Sequence, residues 1–196
     1  MNEQEIEKIV QRVLQKIDAR ADAPGVRRDA PDGRIFTPDA RADAISARWP
    51  PASIAIGADH GGVALKEDLS RFLATKNVRV HDCGTHGRES VDYPDFAAAV
   101  ARRIQDGSVH AGIVIDSIGI GSAIAANKIR GVRCAVCHDV DTVISSRAHN
   151  DANVLSLGAK VVPPFLARRM VAAWLGTAFE GDRHLRRVRK IHELES

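Results

Sequence analysis

The 196-residue sequence lacks any apolar run approaching the roughly 18 residues that a membrane-crossing helix needs, so no transmembrane helix is expected. It also lacks the basic start of a secretory signal, because Glu3, Glu5 and Glu7 stand where that segment would carry positive charge. Cysteine is scarce. Three residues, an odd number, give no disulfide framework and agree with a reducing compartment. A net charge of +3 lacks the strong excess of either sign that would point to nucleic acid or a membrane surface. These absences together predict a cytoplasmic protein with neither partner.

What remains, 44% hydrophobic and 27% charged residues, is the composition of a globular chain able to bury a core. Three regions follow. Over residues 2–17, Ile6, Ile9, Val10, Val13, Leu14 and Ile17 fall on one stripe of a helix, with Asn2 and Glu5 placed to cap its start. Four turns are marginal in water, so the 1–18 segment reads as an amphipathic targeting or docking helix. Residues 19–51, rich in Ala, Asp, Arg and Pro and without apolar periodicity, read as a flexible linker.

From residue 52 to 196 strands and helices alternate. Strands are predicted near 53–58, 78–82, 111–115, 132–137 and 154–157, and helices near 62–75, 94–106, 121–128, 139–148, 163–176 and 184–194. Such alternation predicts an α/β fold, a Rossmann-like three-layer α/β/α sandwich on a parallel sheet of about five strands. The carboxyl ends of the strands then share one edge, where open α/β sheets bind ligands. Asp59, His60, Asp116 to Gly121, His138 and Asp139 are expected there, with His149 close by.

The stretch from Gly112 to Lys128 reads as strand, glycine loop and helix start, with Asp116 at the loop mouth. Gly119 and Gly121 form an incomplete dinucleotide fingerprint, since Ile124 fills the third glycine position, and the loop suits a smaller anion better. Cys134 and Cys137 sit three apart on a strand, so their sulfurs diverge, and no second pair exists to complete a metal site. Arg183 and Arg187, one helical turn apart, could form a phosphate fork.

Together these segments resemble a known family. Ile54-Ala-Ile-Gly-Ala-Asp59-His60-Gly-Gly, Asp92-Tyr93-Pro94, Gly119-Ile-Gly-Ser-Ala-Ile-Ala-Ala-Asn127-Lys128, Ser146-Arg-Ala-His149-Asn150-Asp151-Ala-Asn153 and Gly181-Asp-Arg183-His184-Leu-Arg-Arg187 resemble type B ribose-5-phosphate isomerases, whose superfamily includes galactose-6-phosphate isomerase. The resemblance implies metal-free aldose–ketose isomerisation, without a cofactor, in a homodimer or homotetramer whose sites are shared between subunits. It implies that His149 helps open the sugar ring, that Asp59 and Asn150 hold hydroxyls, and that Tyr93 lines the sugar. It further implies that the backbone from Ser117 through Ile118, Gly119 and Ile120 to Gly121 receives the enediolate oxygen. His60, Arg183 and Arg187 would bind phosphate, with Lys160 standing where relatives often carry arginine.

One departure is chemical. Many relatives carry a cysteine base, then Gly-Thr, where this chain has Asp116, Ser117 and Ile118. Asp116 is then the candidate general base, and burial is expected to raise its pKa toward a useful value. Ile118 is expected to narrow the pocket, which opens the alternative of a hexose or deoxy-sugar phosphate substrate, while loss of the cysteine opens that of a sugar-phosphate binder without catalysis. The N-terminal helix resembles encapsulation peptides that carry enzymes into bacterial microcompartments by packing on a shell protein.

Overall fold

The computed structural model describes residues 49–195. The predicted 2–17 helix and nearly all of the linker lie outside the described residues.

Five parallel strands, β1 (Ser53–Ala58), β2 (Arg79–Asp82), β3 (Ala111–Asp116), β4 (Cys134–Val136) and β5 (Val154–Gly158), form one sheet in the order β2-β1-β3-β5-β4. Six helices connect and flank them: α1 (Val63–Thr75), α2 (Tyr93–Gln105), α3 (Ile120–Ala126), α4 (Val140–Asn150), α5 (Pro164–Gly176) and α6 (Asp182–His192). Central β3 is buried along its whole length, as a strand covered on both faces must be. Its register sets Ile113 beside Ile56 and Leu155, so one face presents a continuous aliphatic row.

That face takes Leu65, Leu69 and Leu73 of α1, Val140 and Val143 of α4, and Met170, Val171 and Trp174 of α5. The opposite face, with Ala55, Val114 and Val154, takes Val100, Ala101 and Ile104 of α2 and Ala126 of α3. Here α2 approaches unusually closely: a Cβ on Gly112 would lie 2.5 Å from Val100 Cγ1. This is the predicted three-layer architecture.

The last strand-to-helix unit is tied by a buried charge network. Asp151, left-handed at φ 50° as the C-cap of α4, pairs with Arg147 one turn earlier and with Arg133 Nη2 at 2.8 Å. The Arg147 guanidinium lies 3.9 Å from the centre of the Trp49 ring, which in turn meets Trp174 edge to face at 4.9 Å. Trp49 therefore belongs to the packed unit.

Candidate active site

The carboxyl edge of the sheet gathers one group of the expected residues. Asp59 directly follows β1, and its Oδ1 accepts the N–H groups of Gly61 at 2.9 Å and Gly62 at 3.1 Å. His60 Nδ1 accepts the N–H of Val91 at 3.3 Å, which leaves the ring proton on Nε2 in the neutral form. Ser117 Oγ lies against Gly61, and Tyr93 lies so close to Gly121 that a Cβ there would be 2.6 Å from the ring. Lys160 joins them because its N–H donates to Ser117 O at 3.0 Å, just past β5. Ile118 and Ile120 are about half exposed on the same loop.

Asp116 is buried, 6% exposed, at the centre of this group. Its Oδ1 accepts from Ile118 N at 2.8 Å and from Gly119 N, and its Oδ2 accepts from Ser122 N at 2.9 Å. The expectation that burial would raise its pKa is corrected here. Burial does push it up, but the Ser122 hydroxyl and the amides of Gly119, Ser122 and Ile118 outweigh it, holding the carboxyl below the usual range. Gly119, left-handed at φ 91°, turns the loop back so that these donors converge. Two of the five loop amides expected to receive a substrate oxygen, those of Ile118 and Gly119, therefore bind the protein's own carboxylate.

The second group lies elsewhere. His149 was expected near the same edge as Asp116; instead α4 carries it across the sheet. Asp139 caps the start of α4 beyond the carboxyl end of β4, whereas Asn150 O at its far end accepts from Arg133 Nε, just before β4 begins. Eleven helical residues span about 16 Å, the height of the sheet. Asn150 lines a cleft of about 290 Å³ there, with Asn127, Arg133 and Ile191. Within the chain His149 and Asn150 thus do not meet Asp116.

Around His149 gather residues of α6 and the turn before it. The Glu180 N–H donates to Ala148 O at 3.0 Å, which places the Glu180 carboxylate 3.8 Å from His149 Nε2 and 3.5 Å from His184 Nε2. The His149 and His184 rings stack at 4.4 Å with 7° between their planes. Ser145 Oγ lies 3.1 Å from His149 Nδ1, and Arg183 Nε donates to His184 Nε2 at 3.2 Å. Burial, then the charges of His149, Arg183 and Arg187, hold His184 below its ordinary pKa against the pull of Glu180. Glu180 and His184 were not singled out from sequence as site residues. Their spacing of four was the available signal, with Glu180 in the turn before α6 and His184 in its first turn.

His149, Glu180 and His184 each offer a ligand atom within 4.8 Å of the others. The two parallel rings do not aim their lone pairs at one point, and that of His184 Nε2 already accepts from Arg183. The donor set therefore fits proton transfer or an anion better than a metal ion.

Residues 54–191 match the Ribose/Galactose Isomerase family. The chain belongs to this family. Among its relatives, ribose-5-phosphate isomerase B of Escherichia coli is 44% identical over 142 residues, covering 72% of this chain and 95% of the relative. D-erythrulose-4-phosphate isomerase of Pectobacterium atrosepticum is 41% identical over 140 residues, covering 71% and 92%. Among solved structures, ribose-5-phosphate isomerase B of Clostridium thermocellum superposes with a TM-score of 0.72 at 50% identity, covering 73% of this chain and 97% of that one. The Thermotoga maritima enzyme gives 0.70 at 42%, covering 72% and 97%. The protein is accordingly an aldose–ketose isomerase of the ribose/galactose isomerase family, and it handles a sugar phosphate.

Proposed function

We propose that the substrate pair is ribose 5-phosphate and ribulose 5-phosphate, interconverted through an enediolate in a site completed by a second copy of the chain. The observation that carries this reading is the separation within one protomer. Asp59, His60, Tyr93, the Asp116 loop and Lys160 share one edge, while His149, Asn150 and the Arg183 end of α6 lie away from it. In a two-fold dimer the second group of one subunit meets the first group of the other, twice over.

In this reading His60, Lys160, Arg183 and Arg187 hold the phosphate, and Asp59 and Asn150 hold hydroxyls. His149 assists ring opening. Asp116, ionised throughout the neutral range, takes the proton from C2 of the open aldose and returns one to C1. The N–H groups of Ser117, Ile120 and Gly121, which Asp116 does not engage, receive the enediolate oxygen. As substrate oxygens compete for the Ile118 and Gly119 amides, Asp116 loses donors and gains basicity.

The test uses subunits carrying Asp116→Asn or His149→Asn. Each homodimer should lose at least about a hundredfold in turnover. The purified heterodimer should recover about half of wild-type activity, because one of its two sites regains both residues. A heterodimer as inactive as its parents would rule out the shared site. A coupled assay across aldose phosphates decides the sugar, a hexose or deoxy-sugar phosphate being the second reading that Ile118 supports. Absence of solvent-proton exchange with every sugar would leave a binder.

We further propose that residues 2–17, whose apolar stripe is quoted above, dock on a microcompartment shell protein. Deleting residues 1–20 should leave kinetics unchanged and release the enzyme from the shell; loss of activity would point instead to a helix that docks on the enzyme itself.

A further inference from the structure

The carboxylate of Glu180 has no place in the reaction so far, yet it stands 3.8 Å from Nε2 of His149, and both side chains are roughly half exposed. Its neighbour His184 does not neutralise it: the Arg183 guanidinium donates to His184 Nε2, so that nitrogen presents a lone pair and no proton to the carboxylate. Nor is the position accidental in the fold. The Glu180 N–H is anchored on Ala148 O, the residue before His149, so carboxylate and imidazole are fixed to one point of the backbone. Stacking on His184 and the contact of Ser145 Oγ with Nδ1 fix the plane of the His149 ring.

An aldose phosphate reaches an isomerase mostly as a ring, and opening it moves two protons at one carbon. The anomeric hydroxyl must lose a proton and the ring oxygen must gain one. These two oxygens sit on the same tetrahedral carbon, closer together than the Glu180 and His149 atoms. Each can therefore meet one of the two groups at an ordinary hydrogen-bond distance. A separation too long for a direct hydrogen bond is the spacing this reaction needs.

We propose that Glu180 and His149 open the ring as a base–acid pair. Glu180 removes the proton from the anomeric O1; the C1–O1 double bond forms as the C1–O4 bond breaks; the His149 imidazolium protonates O4. Protonated Glu180 then returns its proton to His149 through water or the freed hydroxyl, and the pair is restored with no net change of charge. The assignment rests on the isomerase reading and on the role of His149 in ring opening, and it makes Glu180 a catalytic residue of that step alone.

Ribulose 5-phosphate separates the steps. The hydroxyl that could close a five-membered ring on its carbonyl carries the phosphate, so it is open-chain, and enediolate formation from it needs no ring opening. Two rates are measured for wild type, Glu180→Gln and His149→Asn: turnover of ribose 5-phosphate, and deuterium incorporation from D2O at C1 of ribulose 5-phosphate. Glu180→Gln keeps size and hydrogen bonding but is no base. It should lower ribose 5-phosphate turnover at least about tenfold while leaving exchange within about twofold of wild type. Unchanged turnover, or equal losses in both rates, would overturn the assignment, the latter marking a binding or structural role. If His149→Asn also fails to split the two rates, ring opening does not run through this cluster and the proposal falls with that reading. If His149→Asn splits them and Glu180→Gln does not, the reading stands and Glu180 alone is excluded. A wild type without exchange would sink the isomerase reading and this inference together.

Discussion

The backbone N–H of Ser122 donates to Oδ2 of Asp116 at 2.9 Å, so the residue that ends the central strand is held by the first turn of the next helix. The carboxyl group is thereby a structural clasp as well as the candidate base, and the two roles have different pH dependences. Its pKa in the fold lies below that of the unfolded chain, about 3.9. Its stabilising contribution is therefore complete above that value and disappears as the pH falls through the lower, folded one. Asp116→Asn places an NH2 group among N–H donors and should cost about 2 kcal/mol at pH 7. Urea unfolding at pH 7 and in acid checks the sign: the gap between wild type and variant should shrink as the pH drops below the unfolded value.

Gly121 is the point where the start of α3 meets Tyr93, the residue proposed to line the sugar. A Cβ there would lie 2.6 Å from Cε2 and Cζ of Tyr93, so Gly121→Ala must displace the ring. The ring sits at the surface, 40% exposed, and can move outward without unfolding the chain. KM for the sugar phosphate should rise several-fold with little change in melting temperature. Gly119→Ala should do the reverse. At φ 91° its strain falls on the loop itself, costing about 1–2 kcal/mol and loosening the grip on Asp116.

Arg147 and Asp151 form an ion pair with essentially no exposed surface. Removing Asp151 leaves the Arg147 and Arg133 guanidinium groups buried without their counter-charge, which costs about 3–5 kcal/mol, far more than loss of a surface pair, whereas removing Arg147 leaves Asp151 paired with Arg133. Arg147→Met also removes the guanidinium stacked on Trp49. Chemical denaturation should place Asp151→Asn in that range and Arg147→Met below it. The double variant should cost less than the sum of the two, since both report the same network.

The fold was legible because it rests on strand-sized apolar runs separated by helix-sized segments. SIAIGA at 53–58 and AGIVI at 111–115 each lie at or within one residue of an observed strand. The placement of the glycine loop beside Asp59 was legible for the same reason, since parallel strands deliver their carboxyl ends to one edge, whereas Tyr93 and Lys160 were expected only from the family resemblance. Two features were not. The pKa of Asp116 depends on how many amides the loop turns inward, a count that follows from the left-handed Gly119 and the start of α3 rather than from hydropathy. The place of His149 depends on helix length: proximity in the chain to the strand ends implied proximity in space, but eleven residues of α4 put it at the other end of the sheet. A buried pair such as Arg147 with Asp151 is equally hard to read, because charged residues on a helix are ordinarily solvated.

Ile118 carries the last expectation, which concerns the choice of sugar. Its backbone packs on Gly158, where any Cβ would strike it, so the main chain is fixed and only the side chain can adapt. That side chain is 45% exposed at the mouth of the loop, between Ser117 and Gly119. Ile118→Thr introduces a hydroxyl and removes apolar bulk at a site that costs the core nothing. The melting temperature should stay within about 2 °C of wild type, as for a surface substitution. The ratio of kcat/KM between ribose 5-phosphate and a hexose or deoxy-sugar phosphate should shift by about tenfold, the size expected for gaining one hydrogen bond and losing about one methylene of contact. Parallel assays of both proteins across the same panel measure it; an unchanged ratio would show that Ile118 does not touch the sugar.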